Sequence, residues 1–581
     1  MKPHRHFLLP TLLFVLALFA IGKFVFLWYN SAVEPLTLPQ ALGTWLSGLL
    51  LDLRTAALLL LVPALLSLQT RVPLRPLLVP YYILAALATS LVVAANTIMY
   101  EFWQFNLSAV VLSYAASPEG ATSSVSLGFI LWRVGAVLLF ACVMAWGCIA
   151  LTPKRSERPW ASPLLVLLLA LMPVGVSTSY HRTKSLFRNH AATNPLYAFA
   201  TSFWAEDEFA PLKAEEQAKL FAPLYPADTE DVTDTLLTTQ RPNILLIQLE
   251  SFGAKFIPEL GGLPDVTPHL SRWIPQGVFW EQFYSNSFRT DRGSVTIQSG
   301  FVSHPTVSLM RDTLQHAALS SLPRTLNEAG YHTSLLYAGP YTNMGKGRYY
   351  RDMGLQTLHG LELFGDQPQE CGWGMHDGTA ARKVLDLVNE APGQQPWMLT
   401  FQTLSSHEPW QVPYHRLEDE RLNAFAYTDS CVGSLLDSLS RLPLWDSLLV
   451  IILPDHGYLY HQTYEDPAFF HAPMLWLGGA VKQPRRIDVL MNQSDLAATL
   501  LAQLGIPHKH FRWSRNVLSR NYTYPFVYSN YPAGLLFKDS TGVSLFDLAA
   551  REPIMEHPAP SPERIRKARA ILQQSYKELK R

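Results

Sequence analysis

Asn243-Ile244-Leu245-Leu246-Ile247-Gln248-Leu249 is an apolar run of strand length that ends in Glu250. A second run, Leu448-Leu449-Val450-Ile451-Ile452-Leu453, leads into Pro454-Asp455-His456-Gly457. In open α/β sheets the strands deliver active-site residues at their carboxyl ends, so Glu250, Asp455 and His456 are predicted to meet. Between the two runs lies Ser287-Phe288-Arg289-Thr290-Asp291-Arg292-Gly293-Ser294-Val295-Thr296, a hydroxyl between two arginines where a helix can start. Strand ends bearing metal-type ligands, with a threonine at a helix start, point to a metal-assisted nucleophile.

Around these runs, the strand-like stretches Thr333–Tyr337, Trp397–Thr403 and Pro473–Leu477 alternate with helix patterns at Ser320–Ala329, Gly378–Val388 and Ala424–Leu442. Such alternation predicts an α/β domain with a largely parallel sheet over residues 241–550. Its chemistry follows from residue type. Glu250, Asp455 and His456 offer oxygen and nitrogen donors suited to Zn²⁺ or Mn²⁺. A bound cation lowers the pKa of water from 15.7 to about 7, and a coordinated Thr290 hydroxyl responds in the same sense. A helix start favours the Thr290 alkoxide, and Arg289 and Arg292 can clamp phosphate oxygens.

The first third of the 581-residue chain has a different character. Five apolar stretches approach the roughly 20 residues that span a bilayer: Phe7–Tyr29, Leu42–Leu68, Leu77–Met99, Leu127–Leu151 and Pro163–Val176. Lys2 and Arg5, Arg71 and Arg75, and Lys154, Arg155 and Arg158 occupy alternate loops, whereas the loops around Glu34 and from Glu101 to Glu119 carry no Lys or Arg. By the positive-inside rule the N-terminus is cytoplasmic and the chain beyond about Ser177 is extracytoplasmic. Asp52 and Arg54, deep in the second stretch, are expected to pair with other helices, with a lipid-headgroup role as the alternative, and Lys23 and Arg133 lie nearer the ends of theirs. The expected organisation is a multi-pass α-helical membrane domain (1–181), an interfacial helix and linker (182–240), the α/β domain (241–550) and an amphipathic C-terminal helix (551–581). The formal net charge of zero gives no field for nucleic acid. Cys371 and Cys431 are left open, as a disulfide or as two thiols.

Taken in order, these residues resemble a known pattern. The run from Asn243 to Ser251, Arg289 to Gly293, Gly372-Trp373-Gly374, Ser405-Ser406-His407-Glu408-Pro409-Trp410 and Pro454 to Gly457 are similar to the alkaline phosphatase/sulfatase superfamily. In particular they resemble the lipoteichoic acid synthase family of membrane phosphotransferases. The resemblance implies a phospho-threonine intermediate at Thr290 and one divalent cation, Mn²⁺ first with Zn²⁺ or Mg²⁺ as alternatives, held by Glu250, Thr290, Asp455 and His456. It implies phosphoglycerol taken from a phosphatidylglycerol-like phospholipid and passed to a glycolipid, glycan or polymer acceptor outside a bacterial-type cytoplasmic membrane. His407 matches the family's substrate-binding histidine. Trp373 and Trp410 are candidates for the headgroup pocket or for core packing, and Lys346 and Arg351 for phosphate or for solvated surface. The chain departs from the family where Tyr337 replaces a histidine and where Asn343, Met344 and Lys346 only loosely supply a basic and aromatic pair. His471 resembles the second-metal histidine of phosphoethanolamine transferases, which keeps that activity as an alternative beside a catalytically silent receptor of the same fold. Sulfatase chemistry is disfavoured, because it needs Cys or Ser at position 290 and Pro at 292.

Overall fold

The computed structural model describes residues 7–69, 73–109, 111–112, 127–155, 161–172, 183, 185–203, 211–226, 233–391, 393, 395–532, 534–548 and 551–579. The chain divides into two compact units, one within residues 1–208 and the other formed by 209–548 with 552–581.

In the first unit, Leu8–Tyr29, Leu74–Trp103 and Ile130–Leu151 are helices long and apolar enough to cross a membrane. The second expected span is broken. Leu38–Ser47 and Leu49–Leu59 meet at a 48° bend, and Leu61–Ser67 follows. Gly48 stands at the bend because a Cβ there would lie 1.9 Å from the Ala192 carbonyl oxygen and 2.3 Å from Lys23 Nζ. The fifth is the ten-residue helix Ala161–Ala170. Its expected end at 173–176 lies outside the described residues, as do Lys2, Arg5, Arg71, Glu119, Arg158, His181, Arg182 and Lys184. Among the described residues the count is therefore three, or four if the bent pair makes one crossing, against the five expected. The intramembrane charges do pair between helices. Lys23 Nζ lies 2.7 Å from Asp52 Oδ2, Arg133 donates to Tyr29 Oη at 2.8 Å, and Arg54 sits 5.4 Å over the Tyr197 ring.

The stretch read as one link divides between the units. Leu186–Ala192 and Pro195–Thr201 are short helices of the first. Ala214–Phe221 belongs to the second, where Gln217 bonds Gln574 and Lys577 of the C-terminal helix Pro562–Leu579.

The second unit is built on a nine-stranded mixed sheet. Its strands are β1 (Asn243–Leu249), β2 (Val278–Tyr284), β3 (His332–Tyr337), β4 (Thr357–His359), β5 (Trp397–Gln402), β6 (Leu448–Pro454), β7 (His471–Leu477), β8 (Arg485–Ile487) and β9 (Met491–Asn492). The order is β4-β3-β5-β1-β6-β7-β2-β8, with β9 also on β2. The five strands β4, β3, β5, β1 and β6 pair in parallel in that order, and β7 runs against both its neighbours, β6 and β2. Parallel strands covered on both faces need no polar alternation, which accounts for the unbroken runs of β1 and β6. Leu245, Ile247 and Leu249 enter one core and Ile244 and Leu246 the other, as do Val450 and Ile452 against Leu449 and Ile451. Four further strands, β10 (Phe526–Tyr531), β11 (Gly534–Asp539), β12 (Gly542–Asp547) and β13 (Glu552–His557), form an antiparallel sheet that runs across residue 550. The C-terminal helix buries the stripe Ile565, Ala568, Ile571, Leu572 and Tyr576. Cys371 and Cys431 are both free thiols.

Candidate active site

The register of β1 and β6 sets Leu249 beside Pro454, so the next residues, Glu250 and Asp455, leave the sheet side by side. Ser251 turns the chain there with φ +64°, a left-handed conformation unusual for a residue with a Cβ. The turn aims the Ser251 N–H at Asp455 Oδ1, 2.9 Å away, and its hydroxyl at Glu250 Oε1, 2.8 Å away. From β2 the chain reaches the helix Thr290–Ser299, whose first residue is Thr290. Gly293 lets that helix approach, because a Cβ there would lie 2.1 Å from the Asp455 carbonyl oxygen.

The result is a buried cluster. Thr290 Oγ1 lies 3.2 Å from Glu250 Oε2, 3.4 Å from Glu250 Oε1 and 3.4 Å from His456 Nε2. His456 Nε2 is in turn 3.5 Å from Glu250 Oε1 and 3.7 Å from Asp455 Oδ2. His456 Nδ1 bonds its neighbour's carbonyl, Gly457 O, at 2.7 Å, which holds a proton on Nδ1 and aims Nε2 into the cluster. Asp455 Oδ1 accepts from the backbone N–H of Ser251 and of His456, while Oδ2, also buried, makes no hydrogen bond.

These separations are long for hydrogen bonds but match the donor spacing around one small cation. Ligands about 2.1 Å from a tetrahedral centre stand roughly 3.4 Å apart. The donor atoms of Glu250, Asp455 and His456 all lie within 4.8 Å of one another, and the bare Asp455 oxygen completes the fit. Electrostatics agree. Burial would raise the Glu250 carboxyl, but the hydrogen bond and charge of His456, with His407 and Lys346, bring it below the usual range. Burial and the adjacent Glu250 charge push Asp455 up. Burial would lower His456, yet the charges of Asp455 and Glu250 raise it to about 9. Two carboxylates thus share one imidazolium proton where a cation would otherwise stand.

The remaining expected site residues separate into three groups. Lys346, 2% exposed, holds its ammonium 3.7 Å over the Tyr337 ring at the end of β3, and its charge acts on Glu250. Tyr337 therefore serves as a platform for Lys346. His407 packs against Trp373, with ring centres 4.2 Å apart and tilted by 51°, and has Nδ1 toward the Glu408 carbonyl at 3.1 Å; its charge too acts on Glu250. Trp373 donates to that same carbonyl at 2.5 Å. Arg289 caps the Thr290 helix with extended backbone, and Trp410, φ +63°, packs on Phe425 and Tyr458.

Two expected residues are engaged away from the cluster. Arg292 bonds Asp291 at 3.1 Å and the His304 carbonyl at 3.0 Å, beneath the Phe288 ring, with 5% exposure. That guanidinium is held behind the helix by these partners. His471 gives Nε2 to the Glu281 carbonyl at 2.8 Å and stacks on Tyr284. It is not part of the ligand cluster found among the described residues. Arg351 is exposed on its helix.

Several supporting residues went unrecognised in the sequence. Thr403 Oγ1 accepts the Glu250 N–H at 2.9 Å, and Ser406 donates to the Glu250 carbonyl at 2.7 Å. Beneath Thr290, the Gln248 amide donates to Ser294 Oγ at 2.8 Å, and Gln402 reaches Gln248 Oε1 at 3.1 Å. The one available signal was polar residues, Gln248 and Gln402, inside runs otherwise apolar.

Residues 242–506 match the sulfatase family. The lipoteichoic acid synthase-like protein YvgJ of Bacillus subtilis (strain 168) is 22% identical over 505 residues, covering 77% of this chain and 79% of that protein. The capsular polysaccharide biosynthesis protein RkpI of Rhizobium meliloti (strain 1021) is 25% identical over 272 residues, 44% of this chain and 49% of its own length. Among solved structures, a protein in the alkaline phosphatase superfamily from Vibrio parahaemolyticus superposes with a TM-score of 0.56 at 22% identity, covering 64% of this chain and 98% of that one. The lipoteichoic acid synthase LtaP from Listeria monocytogenes gives 0.52 at 16% identity, with the same coverage.

Proposed function

We propose that this chain, whose residues 242–506 match the sulfatase family and whose fold is that of solved alkaline phosphatase superfamily and lipoteichoic acid synthase structures, is a membrane-bound phosphotransferase. The group moved is phosphoglycerol, taken from a phosphatidylglycerol-like lipid and passed to a glycolipid, glycan or polymer hydroxyl outside the membrane. The observation that carries the reading is the Thr290 hydroxyl, at a helix N-terminus, 3.2–3.4 Å from Glu250 and His456. The likeness to a lipoteichoic acid synthase-like protein and to a capsular polysaccharide biosynthesis protein supports the donor and acceptor classes.

Glu250, Thr290, Asp455 and His456 would hold one divalent cation, Mn²⁺ on the family resemblance, which supplies a lower hydroxyl pKa and neutralises phosphoryl oxygens. The protein's own residues do the rest. Thr290 Oγ attacks the phosphodiester phosphorus. The bond to diacylglycerol breaks, and the hydroxyl proton leaves with the diacylglycerol oxygen. An acceptor hydroxyl then attacks the same phosphorus, and Thr290 recovers a proton from it. The helix N-terminus favours negative charge on the oxygen between the two steps. Lys346 and His407, whose charges reach Glu250, would hold the headgroup phosphate, with Trp373 and Trp410 beside them.

The basic loops on alternate sides of the apolar stretches support a cytoplasmic N-terminus and an extracytoplasmic catalytic domain. Phosphoethanolamine transfer is the weaker reading, since His471 is committed to the Glu281 carbonyl. The test is turnover of headgroup-labelled lipids in proteoliposomes with Mn²⁺. Release of diacylglycerol from phosphatidylglycerol, and not from phosphatidylethanolamine, is expected. The reverse preference, or turnover of neither, overturns the assignment.

A further inference from the structure

A cavity of about 770 Å³ lies in the α/β unit between the 221–226 segment, the 505–524 loop and Glu578. It sits at the far end of the helix that Thr290 begins. A Cβ on Gly300, which closes that helix, would lie 2.9 Å from Ser514 Cβ and 3.1 Å from Phe511, both of which line the cavity. Ten helical residues span about 15 Å, so this is a different place from the Thr290 cluster.

The lining combines ring faces, small polar groups and cations. Phe221, Tyr225, Tyr522 and Tyr524 are only half-buried, and their remaining surface borders the cavity. Behind them Arg515, 7% exposed, is held by Asp495 with Nε 2.8 Å from Oδ1, and lies 5.6 Å from the Tyr225 ring centre and 5.4 Å from that of Tyr522. Its Nη1 makes no hydrogen bond within the protein. Lys509 and Arg512 add positive charge at the rim. The lining carboxylate, Glu578, accepts from Trp513 Nε1 at 2.7 Å and lies 3.6 Å from Arg512.

We propose that this cavity binds a segment of an acidic glycan. Aromatic faces suit the C–H faces of sugar rings. Ser519 and Thr523 offer hydroxyls to sugar oxygens. The rim cations Lys509 and Arg512 suit a carboxylate or phosphate on the sugar. The volume falls in the roughly 300–1,000 Å³ range of small-ligand sites. The aromatic side chains form one packed cluster. Here Phe221 and Tyr225 meet Trp513 edge-on, at 63° and 61°, and stack directly on each other at 5.1 Å. The site stands on its own lining and does not need catalysis at Thr290.

The test is calorimetric titration of the full chain in detergent with trigalacturonate, neutral maltotriose and AMP. Trigalacturonate is expected to bind saturably, and maltotriose and AMP at least about tenfold more weakly. Arg512→Gln, on a side chain 66% exposed, should weaken trigalacturonate by about tenfold without shifting thermal unfolding. No binding of trigalacturonate, equal binding of maltotriose or AMP, or unchanged affinity in the Arg512 variant overturns the proposal.

Discussion

Asp495 and Asp455 are both fully buried in the same domain, and they are finished in opposite ways. Asp495 accepts from Arg515 Nε at 2.8 Å, from the Arg515 N–H at 3.0 Å and from the Asn492 N–H at 2.9 Å. Both of its oxygens are matched, and a cation within the chain balances its charge. Asp455 has one oxygen matched by backbone N–H groups and one bare, with a second carboxylate beside it. The two regions are joined through the segment that carries Asp495. Gln493, two positions from Asp495, donates to the Asp455 carbonyl at 2.7 Å. The contrast teaches how to tell buried charge that builds a scaffold from buried charge kept for a ligand. The first is satisfied from within, and the second is satisfied only when something binds.

The largest expected effect separates the two directly. Asp495→Asn leaves the Arg515 guanidinium buried without its counter-charge and should cost about 3 kcal/mol or more. Asp455→Asn in metal-free protein should cost little or stabilise, because it relieves repulsion with Glu250, yet it should abolish stabilisation by Mn²⁺. Thermal unfolding of the full chain with and without chelator reads both. Equal losses in the two metal-free variants would erase the distinction.

A smaller effect is the pH dependence of metal binding. His456 is raised to about 9, so near neutrality a cation must displace its proton. Affinity should rise about tenfold per pH unit up to about pH 9 and then level off, with about one proton released per ion. The sign follows because the bound form holds fewer protons than the free form. Titration in buffers of differing ionisation enthalpy measures the release, and affinity that is flat between pH 7 and 8.5 would contradict it. Smallest is Ser251→Ala, which removes the hydroxyl that orients Glu250. It should weaken Mn²⁺ by about tenfold, in a competition assay against a chelator, while leaving the metal-free protein as stable as before. An unchanged Mn²⁺ affinity would remove Ser251 from the site.

The same contrast explains what could be read from the chain alone. β1 and β6 were legible because both faces of each strand meet apolar cores, which leaves seven-residue runs nothing else can imitate. Their last residues then announced Glu250 and Asp455. β2 was missed because Glu281 and Gln282 interrupt it while half-buried. The antiparallel sheet β10 to β13 was missed because its strands carry polar residues such as Ser529, Asn530 and Ser544 inside. The membrane unit holds a feature that hydropathy does not carry. Hydropathy over Leu42–Leu68 is continuous, and only the approach of Ala192 and Lys23 to Gly48 shows why the helix bends there. The engagement of Arg292 with Asp291 and the His304 carbonyl was not legible, because spacing cannot tell which way a guanidinium turns. Ser251 was overlooked because a left-handed backbone leaves no mark in composition.

The account rests on Thr290 becoming covalently loaded, and mass spectrometry tests that most directly. The purified full chain, incubated with phosphatidylglycerol and Mn²⁺ and quenched in acid, should gain the mass of one phosphoglycerol group, located by fragmentation to Thr290 and absent from Thr290→Ala. Turnover without any adduct, an adduct on another residue, or undiminished activity of the Thr290→Ala protein would contradict it.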